Sequence, residues 1–124
     1  MTIAEVSKKY DLTADTLRYY ERVHMIPPVH RTASGLRDYT EEDCRWVELA
    51  KCMRSAGLPV EAMIEYVRLT QLGEETIPAR RELLLEQRAR LGEQKQAIER
   101  TMERLDYKIS RYDEAIKTGK LTWE

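Results

Sequence analysis

Between Pro78 and Gly119 the chain carries no proline and a single glycine, Gly92. Within that stretch Leu84, Leu91, Ile98, Leu105 and Tyr112 recur every seven residues, and Met102, Ile109 and Ile116 each follow four residues after the later members. The two series make the a and d positions of a heptad seam, the pattern of a helix that pairs with another. Arg88 and Lys95 take the matching positions in the first half, so the seam is imperfect there. About 40 residues at ~1.5 Å each give a rod of roughly 60 Å. Packing back on the rest of the chain covers only its first turns. The stretch therefore predicts a dimerisation helix whose interface is Leu84, Leu91, Ile98, Met102, Leu105, Ile109, Tyr112 and Ile116.

A long exposed helix also accounts for the composition. The chain has 124 residues, of which 35% are charged, against about 25% in ordinary globular domains. No apolar run exceeds three residues, which excludes a membrane span and a signal-peptide core. Two cysteines without a C-x-x-C pair exclude a disulfide scaffold and the common zinc frameworks. The net charge of −1 gives no basic excess for a nucleic-acid partner. Its distribution is uneven, however. Thr16 to Arg37 holds Arg18, Arg22, Arg31 and Arg37 against Glu21 alone, and the acidic run Glu41-Glu42-Asp43 then cancels the sum.

The first 75 residues read as short helices. Thr2-Ile3-Ala4-Glu5 has the form of a capping box. Tyr10-Asp11-Leu12 breaks that helix, and Thr13 caps a second one running to about Arg22. Two short helices across a tight turn make a helix-turn-helix pattern. Leu17 and Tyr20 share its inner side, while Arg18, Tyr19 and Arg22 crowd another. Pro27-Pro28 stops helical structure, and Val29 to Tyr39, with Ser34-Gly35 at its turn, predicts a small hairpin or extended loop. Thr40 starts a third helix with Trp46, Leu49, Ala50 and Met53 as its core face and Gly57 past its end. A fourth helix is expected from Pro59 to Leu72, with Gly73 ending it and Pro78 in the first turn of the rod.

Thr16-Leu17-Arg18-Tyr19-Tyr20-Glu21, followed by Ile26-Pro27-Pro28, Arg31 and Ser34-Gly35-Leu36-Arg37-Asp38-Tyr39, resembles the signature of the MerR family of transcription regulators. The resemblance implies a mainly α fold: a winged helix-turn-helix DNA-binding domain with a connecting helix pair over residues 1–75, a coiled-coil dimerisation helix over 76–118, and a short tail over 119–124. The residues suit that role in their own right. Arg forks onto a phosphate or guanine and Tyr offers a hydroxyl on a rigid arm. The expected DNA contacts are Thr16, Arg18, Tyr19, Arg22, Arg31, Arg37 and Tyr39, with His30 nearby. Two departures stand out. Asp11 and His24 occupy sites where the family often has Gly, and both residue types tolerate a left-handed backbone.

By the same resemblance, the partners are double-stranded promoter DNA, a second copy of the chain and, indirectly, RNA polymerase. The dimer binds an inverted repeat and distorts it. The protein is expected to be cytoplasmic and nucleoid-associated in a bacterium, without a membrane partner, cofactor, metal or catalytic residue. Metal-sensing relatives carry paired cysteines near the end of the long helix, and Lys117 to Glu124 has none. Multidrug-sensing relatives append a large ligand-binding domain, and only five to eight residues follow the rod here. Leu36-Arg37-Asp38-Tyr39 and Lys51-Cys52-Met53-Arg54-Ser55-Ala56-Gly57 look like the small branch that responds to aldehydes and thiol-reactive stress. In that branch a Cys at the position of Cys52 is the sensor.

Helical geometry puts Cys52 at the flank of the third helix's core face, with Arg45, Lys51 and Arg54 near in sequence, and Cys44 on the solvent side. The pair sits about 12 Å apart along the helix, too far for a disulfide. Two other readings compete. A noncovalent ligand would sit among Trp46, Tyr66, Leu69 and Trp123, and a coiled-coil adaptor would need no DNA-facing arginines. A Cys-nucleophile enzyme lacks a third group beside His24 and His30.

Overall fold

The caps that the sequence announces are formed. The computed structural model describes residues 1–123, so Glu124, the last residue of the expected tail, lies outside the described residues. Five helices follow in order: α1 (Ile3–Tyr10), α2 (Ala14–Arg22), α3 (Glu41–Ser55), α4 (Val60–Leu72) and, after a 3-10 turn at Glu74–Thr76, α5 (Ile77–Thr118). Thr2 Oγ1 accepts the Glu5 N–H at 3.2 Å while Glu5 Oε1 accepts the Thr2 N–H at 3.0 Å. Thr40 and Asp43 repeat this reciprocal pair at the head of α3, at 3.0 and 3.1 Å. Each box satisfies backbone donors that a helix start leaves without partners.

Asp11 (φ 53°) and His24 (φ 66°) both adopt the left-handed backbone expected at these two sites. Asp11 ends α1, and its position lets Leu12 and Thr13 turn the chain into α2. Ser7 Oγ donates to the Leu12 carbonyl, and Lys51 Nζ of α3 donates to the Tyr10 carbonyl, so the tight turn is held from both sides. The core beneath the helix-turn-helix is Val6, Leu17, Tyr20, Met25, Ile26 and Val29, all buried. α1 packs on α2, α2 on α3, and α3 on α4.

The wing is more irregular than a hairpin. Among the described residues its only ladder element is a single antiparallel bridge between Arg31 and Arg37. Turn backbone bonds (Thr32 N–H to the Leu36 carbonyl at 2.8 Å, Asp38 N–H to the His30 carbonyl at 2.7 Å) are joined by side chains: Thr32 Oγ1 accepts the Leu36 N–H at 3.2 Å, and Arg31 Nη1 donates to the Gly35 carbonyl at 3.1 Å. Gly35 sits at φ 87°, a turn conformation that disfavours a side chain.

The buried face of α3 differs from the expected one. Cys44, Val47, Ala50 and Met53 are buried, while Trp46 and Leu49 are only half-buried. The reason lies outside the helix. The Met1 ammonium donates to the Tyr39 carbonyl at 2.8 Å, and the Tyr39 N–H donates back to the Met1 carbonyl at 2.7 Å. This strand-like pairing brings Met1 over the start of α3, where its Sδ lies 4.0 Å from Cys44 Sγ. Trp46 instead meets Tyr66 of α4, ring centroids 5.6 Å apart.

The described residues fall into two compact units, Met1 to Gln87 and Arg88 onward. α5 runs unbroken for 42 residues, about 63 Å at ~1.5 Å per residue. In the second unit the tail returns along its own helix. Arg111 Nε donates to the Thr122 carbonyl at 2.8 Å, the Tyr107 hydroxyl donates to the Trp123 carbonyl at 2.5 Å, and the Trp123 ring meets Tyr112 edge-on. None of the described helices is long and apolar enough to cross a membrane.

The left-handed sites yield a test. His24→Gly removes the cost of a side chain at positive φ and adds that of glycine's flexibility, for a net gain of about 0.5–1 kcal/mol. Thermal unfolding at fixed protein concentration should show a higher midpoint than wild type.

Candidate nucleic-acid interface

α2 divides its side chains as its spacing requires. Leu17 and Tyr20 face the core, and Arg18, Tyr19 and Arg22 face outward. The Arg18 side chain is 48% exposed and pairs with Asp15, one turn back, at 3.0 Å. The Arg22 guanidinium lies over the Tyr19 ring, 5.5 Å from its centroid. That contact stiffens two long side chains without consuming the guanidinium donors. Thr16 is the helix's third residue, and its own hydroxyl accepts from Thr13 Oγ1 at 2.9 Å while its N–H donates to the same cap. It is tied into the helix start.

The wing arginines converge on a residue the sequence reading did not single out. Glu21, whose side chain is 12% exposed, accepts from Arg37 Nε at 2.7 Å through Oε1 and from the Val29 N–H at 2.8 Å through Oε2. Arg31 Nη2 lies 3.6 Å from the same Oε1. Recognition helix and wing are thus joined through one carboxylate. A signal for this was present: Glu21 is the sole acid among the cations of the 16–37 window. His30 stays at the surface, with Nδ1 3.5 Å from Asp38 and its N–H donating to Asp43.

Tyr39 requires a correction. Expected beside Arg37 at the surface, it is 2% exposed, and its hydroxyl lies beneath the surface with no hydrogen-bond partner among the described residues. The residue following it caps α3, and its backbone pairs with Met1, so its ring is drawn inward. Burial raises its pKa above the ordinary tyrosine value, an effect the nearby Arg37 cation opposes. Cys44 needs the same correction. It is buried under Met1, whereas Cys52 is exposed. The neighbouring cations Lys51 and Arg54 are committed to the carbonyls of Tyr10 and Leu58.

Of the residues expected to wall a noncovalent ligand, Trp46 and Tyr66 line a cavity of about 260 Å³ with Glu42, Arg45 and Leu49. Leu69 is buried in the core, and Trp123 packs on Tyr112. No three His, Cys, Asp or Glu side chains among the described residues converge on a metal position. The seam residues of α5 are open, from 40% at Leu84 to 81% at Ile116, with Leu91 half-buried.

An outward Arg-Tyr-Arg face on the second helix of a helix-turn-helix, flanked by a cationic wing, defines a DNA-binding regulator domain. The family model of the MerR helix-turn-helix regulatory proteins matches residues 1–70, and the chain belongs to that family of transcription regulators. It is 57% identical over 93 residues to the HTH-type transcriptional regulator AdhR of Bacillus subtilis, covering 75% of this chain and 66% of AdhR. A crystal structure of a MerR family transcriptional regulator from Listeria monocytogenes superimposes with a TM-score of 0.92 at 44% identity, covering 96% of this chain and 90% of that one. HiNmlR, a MerR family regulator lacking the sensor domain and solved bound to promoter DNA, gives 0.83 at 28% identity, over 96% of this chain and 94% of its own.

Because the Tyr39 hydroxyl is buried without a partner, Tyr39→Phe should leave DNA affinity unchanged. It should also raise stability by about 1 kcal/mol, the lower end of the cost of burying a lone polar group. Equilibrium denaturation and a binding titration check both. A tenfold loss of affinity would return the hydroxyl to the interface.

Proposed function

We propose that this regulator binds an inverted-repeat promoter element as a homodimer, distorts it so that RNA polymerase engages differently, and is switched by reactive carbonyl compounds at Cys52. The observation that carries the DNA half is the exposed Arg18-Tyr19-Arg22 face beside the wing. It fits the major-groove role of a second helix. Thr16, Arg31 and Arg37 border that face, and Tyr39 supports it from below. Two copies follow from α5, whose open seam is an apolar stripe too long to leave in water. The domain division follows the same logic: residues 1–75 bind DNA, 76–118 dimerise, and 119–124 form a tail. A bacterial cytoplasm, at the nucleoid, suits such a protein.

The sensing half rests on accessibility. Of the two thiols, Cys52 is exposed and Cys44 is buried. An aldehyde takes the thiol by forming one S–C bond while its carbonyl oxygen receives the thiol proton, with no net oxidation. The runs Leu36–Tyr39 and Lys51–Gly57 support the same branch. A second reading has one observation in its favour, the Trp46–Tyr66 cavity, which is open to a small noncovalent ligand.

Footprinting and binding titrations on the DNA upstream of the chain's own gene test the whole reading, with and without formaldehyde or methylglyoxal. Arg18→Ala should weaken binding at least tenfold, since a bidentate contact discriminates by about 1–3 kcal/mol. Cys52→Ser should keep wild-type affinity and lose the aldehyde response. A response that survives in Cys52→Ser moves the sensor to the cavity. Leu105→Glu places a charge in the middle of the seam. Light scattering should then report a monomer where wild type is a dimer.

A further inference from the structure

The Glu21 carboxylate holds two of the four arginines in the basic window, yet it is an acid placed where DNA phosphates would approach. Arg37 gives it Nε at 2.7 Å and stands 24% exposed, while its two Nη groups have no hydrogen-bond partner among the described residues. Arg31, 3.6 Å from the same oxygen, is fixed a second time through Gly35. The second carboxylate oxygen is fixed in turn by the Val29 N–H at 2.8 Å. Both wing cations are therefore clamped rather than mobile. By contrast Arg18 pairs only with Asp15, whose side chain is 95% exposed. Such a solvated pair exchanges readily with water.

We infer that Glu21 is a specificity-determining positioning residue: it withholds the wing arginines from randomly placed phosphates and presents the Arg37 Nη pair at one fixed point. This rests on the DNA-binding reading above and deepens it. A mobile arginine follows whichever phosphate is nearest, so it adds sequence-independent affinity and salt dependence. A clamped one gains contact only where the duplex backbone arrives at its position. DNA whose shape brings the backbone there is favoured, and straight random duplex forfeits the contact. The near-neutral chain thus keeps its non-specific binding weak without giving up wing contacts on the right site.

The test uses the full chain and two duplexes, one enriched from a randomised pool by the wild-type protein and one of scrambled sequence. Affinity is measured across a salt series for wild type, Glu21→Gln and Arg18→Ala. Glu21→Gln keeps an acceptor for the Val29 N–H but releases Arg37, while Arg31 keeps its bond to the Gly35 carbonyl. Its affinity for scrambled duplex should rise about five- to tenfold. Its salt slope there should steepen by about 2 for a dimer that frees one arginine per protomer. Its preference for the enriched duplex should fall about tenfold. Equal weakening on both duplexes with an unchanged slope would make Glu21 a scaffold residue and overturn the inference. Should circular dichroism show Glu21→Gln unfolded, Glu21→Asp carries the test. It keeps the charge but is one methylene too short for the Arg37 contact, and its slope should steepen by about 2, again one arginine per protomer; a wild-type slope overturns the inference. If the wild type shows no preference for any enriched duplex, or Arg18→Ala matches it, the DNA-binding reading itself fails, a separate outcome.

Discussion

The carboxylate of Glu21 is where α2 meets the wing, and the DNA-facing surface depends on it. α2 on its own is a nine-residue helix with one apolar edge. The wing on its own is an eleven-residue loop with a single bridge. A carboxylate that accepts from Arg37 and from the Val29 backbone, with Arg31 close by, joins them through charge-assisted hydrogen bonds at a site largely closed to water. Salt screens such a partly buried group less than an exposed pair. The geometry presented to DNA is thereby set by groups that are not themselves at the surface.

Much of the fold was legible because its determinants are local. Thr2 with Glu5, Thr13, and Thr40 with Asp43 write their caps within four residues, and Asp11 and His24 declare a left-handed backbone by residue type alone. What was misread depends on contacts between distant segments. Cys44 looks solvent-facing when α3 is viewed as a lone helix, because Trp46 and Leu49 dominate its apolar moment. It is buried because Met1, 43 positions earlier, lies over it. Tyr39 belongs to the same case: the pairing of its backbone with Met1 turns it inward, and neither sequence spacing nor residue type encodes that pairing. Glu21 is hidden in the sequence because an acid in a basic window reads as a charge offset rather than as an anchor.

The same distinction explains the charge arithmetic. A net charge of −1 is a property of the whole chain, whereas DNA meets only one face of it. Much of the charge lies on α5, where ten basic and eight acidic residues between positions 77 and 118 interleave along the rod. On that helix polar residues keep the outer faces wet while the seam stays apolar, which is why a high charged fraction and an open hydrophobic stripe coexist in one element.

Side chains flanking Cys52 on α3 tie that helix to neighbouring segments. Lys51, immediately before Cys52, donates to the Tyr10 carbonyl at the end of α1, and the Cys52 carbonyl itself accepts the Ala56 N–H that closes the helix. Arg54 reaches the Leu58 carbonyl at the start of the turn into α4. Lys51 and Arg54 are thus spent on backbone oxygens, while Cys52 itself stands exposed. The arrangement also sets what an adduct has to disturb. A group added at Cys52 sits one residue from the bond tying α3 to the helix-turn-helix and four from the closing turn of α3. Of the two, only the Lys51–Tyr10 contact reaches the helix-turn-helix, at the end of α1.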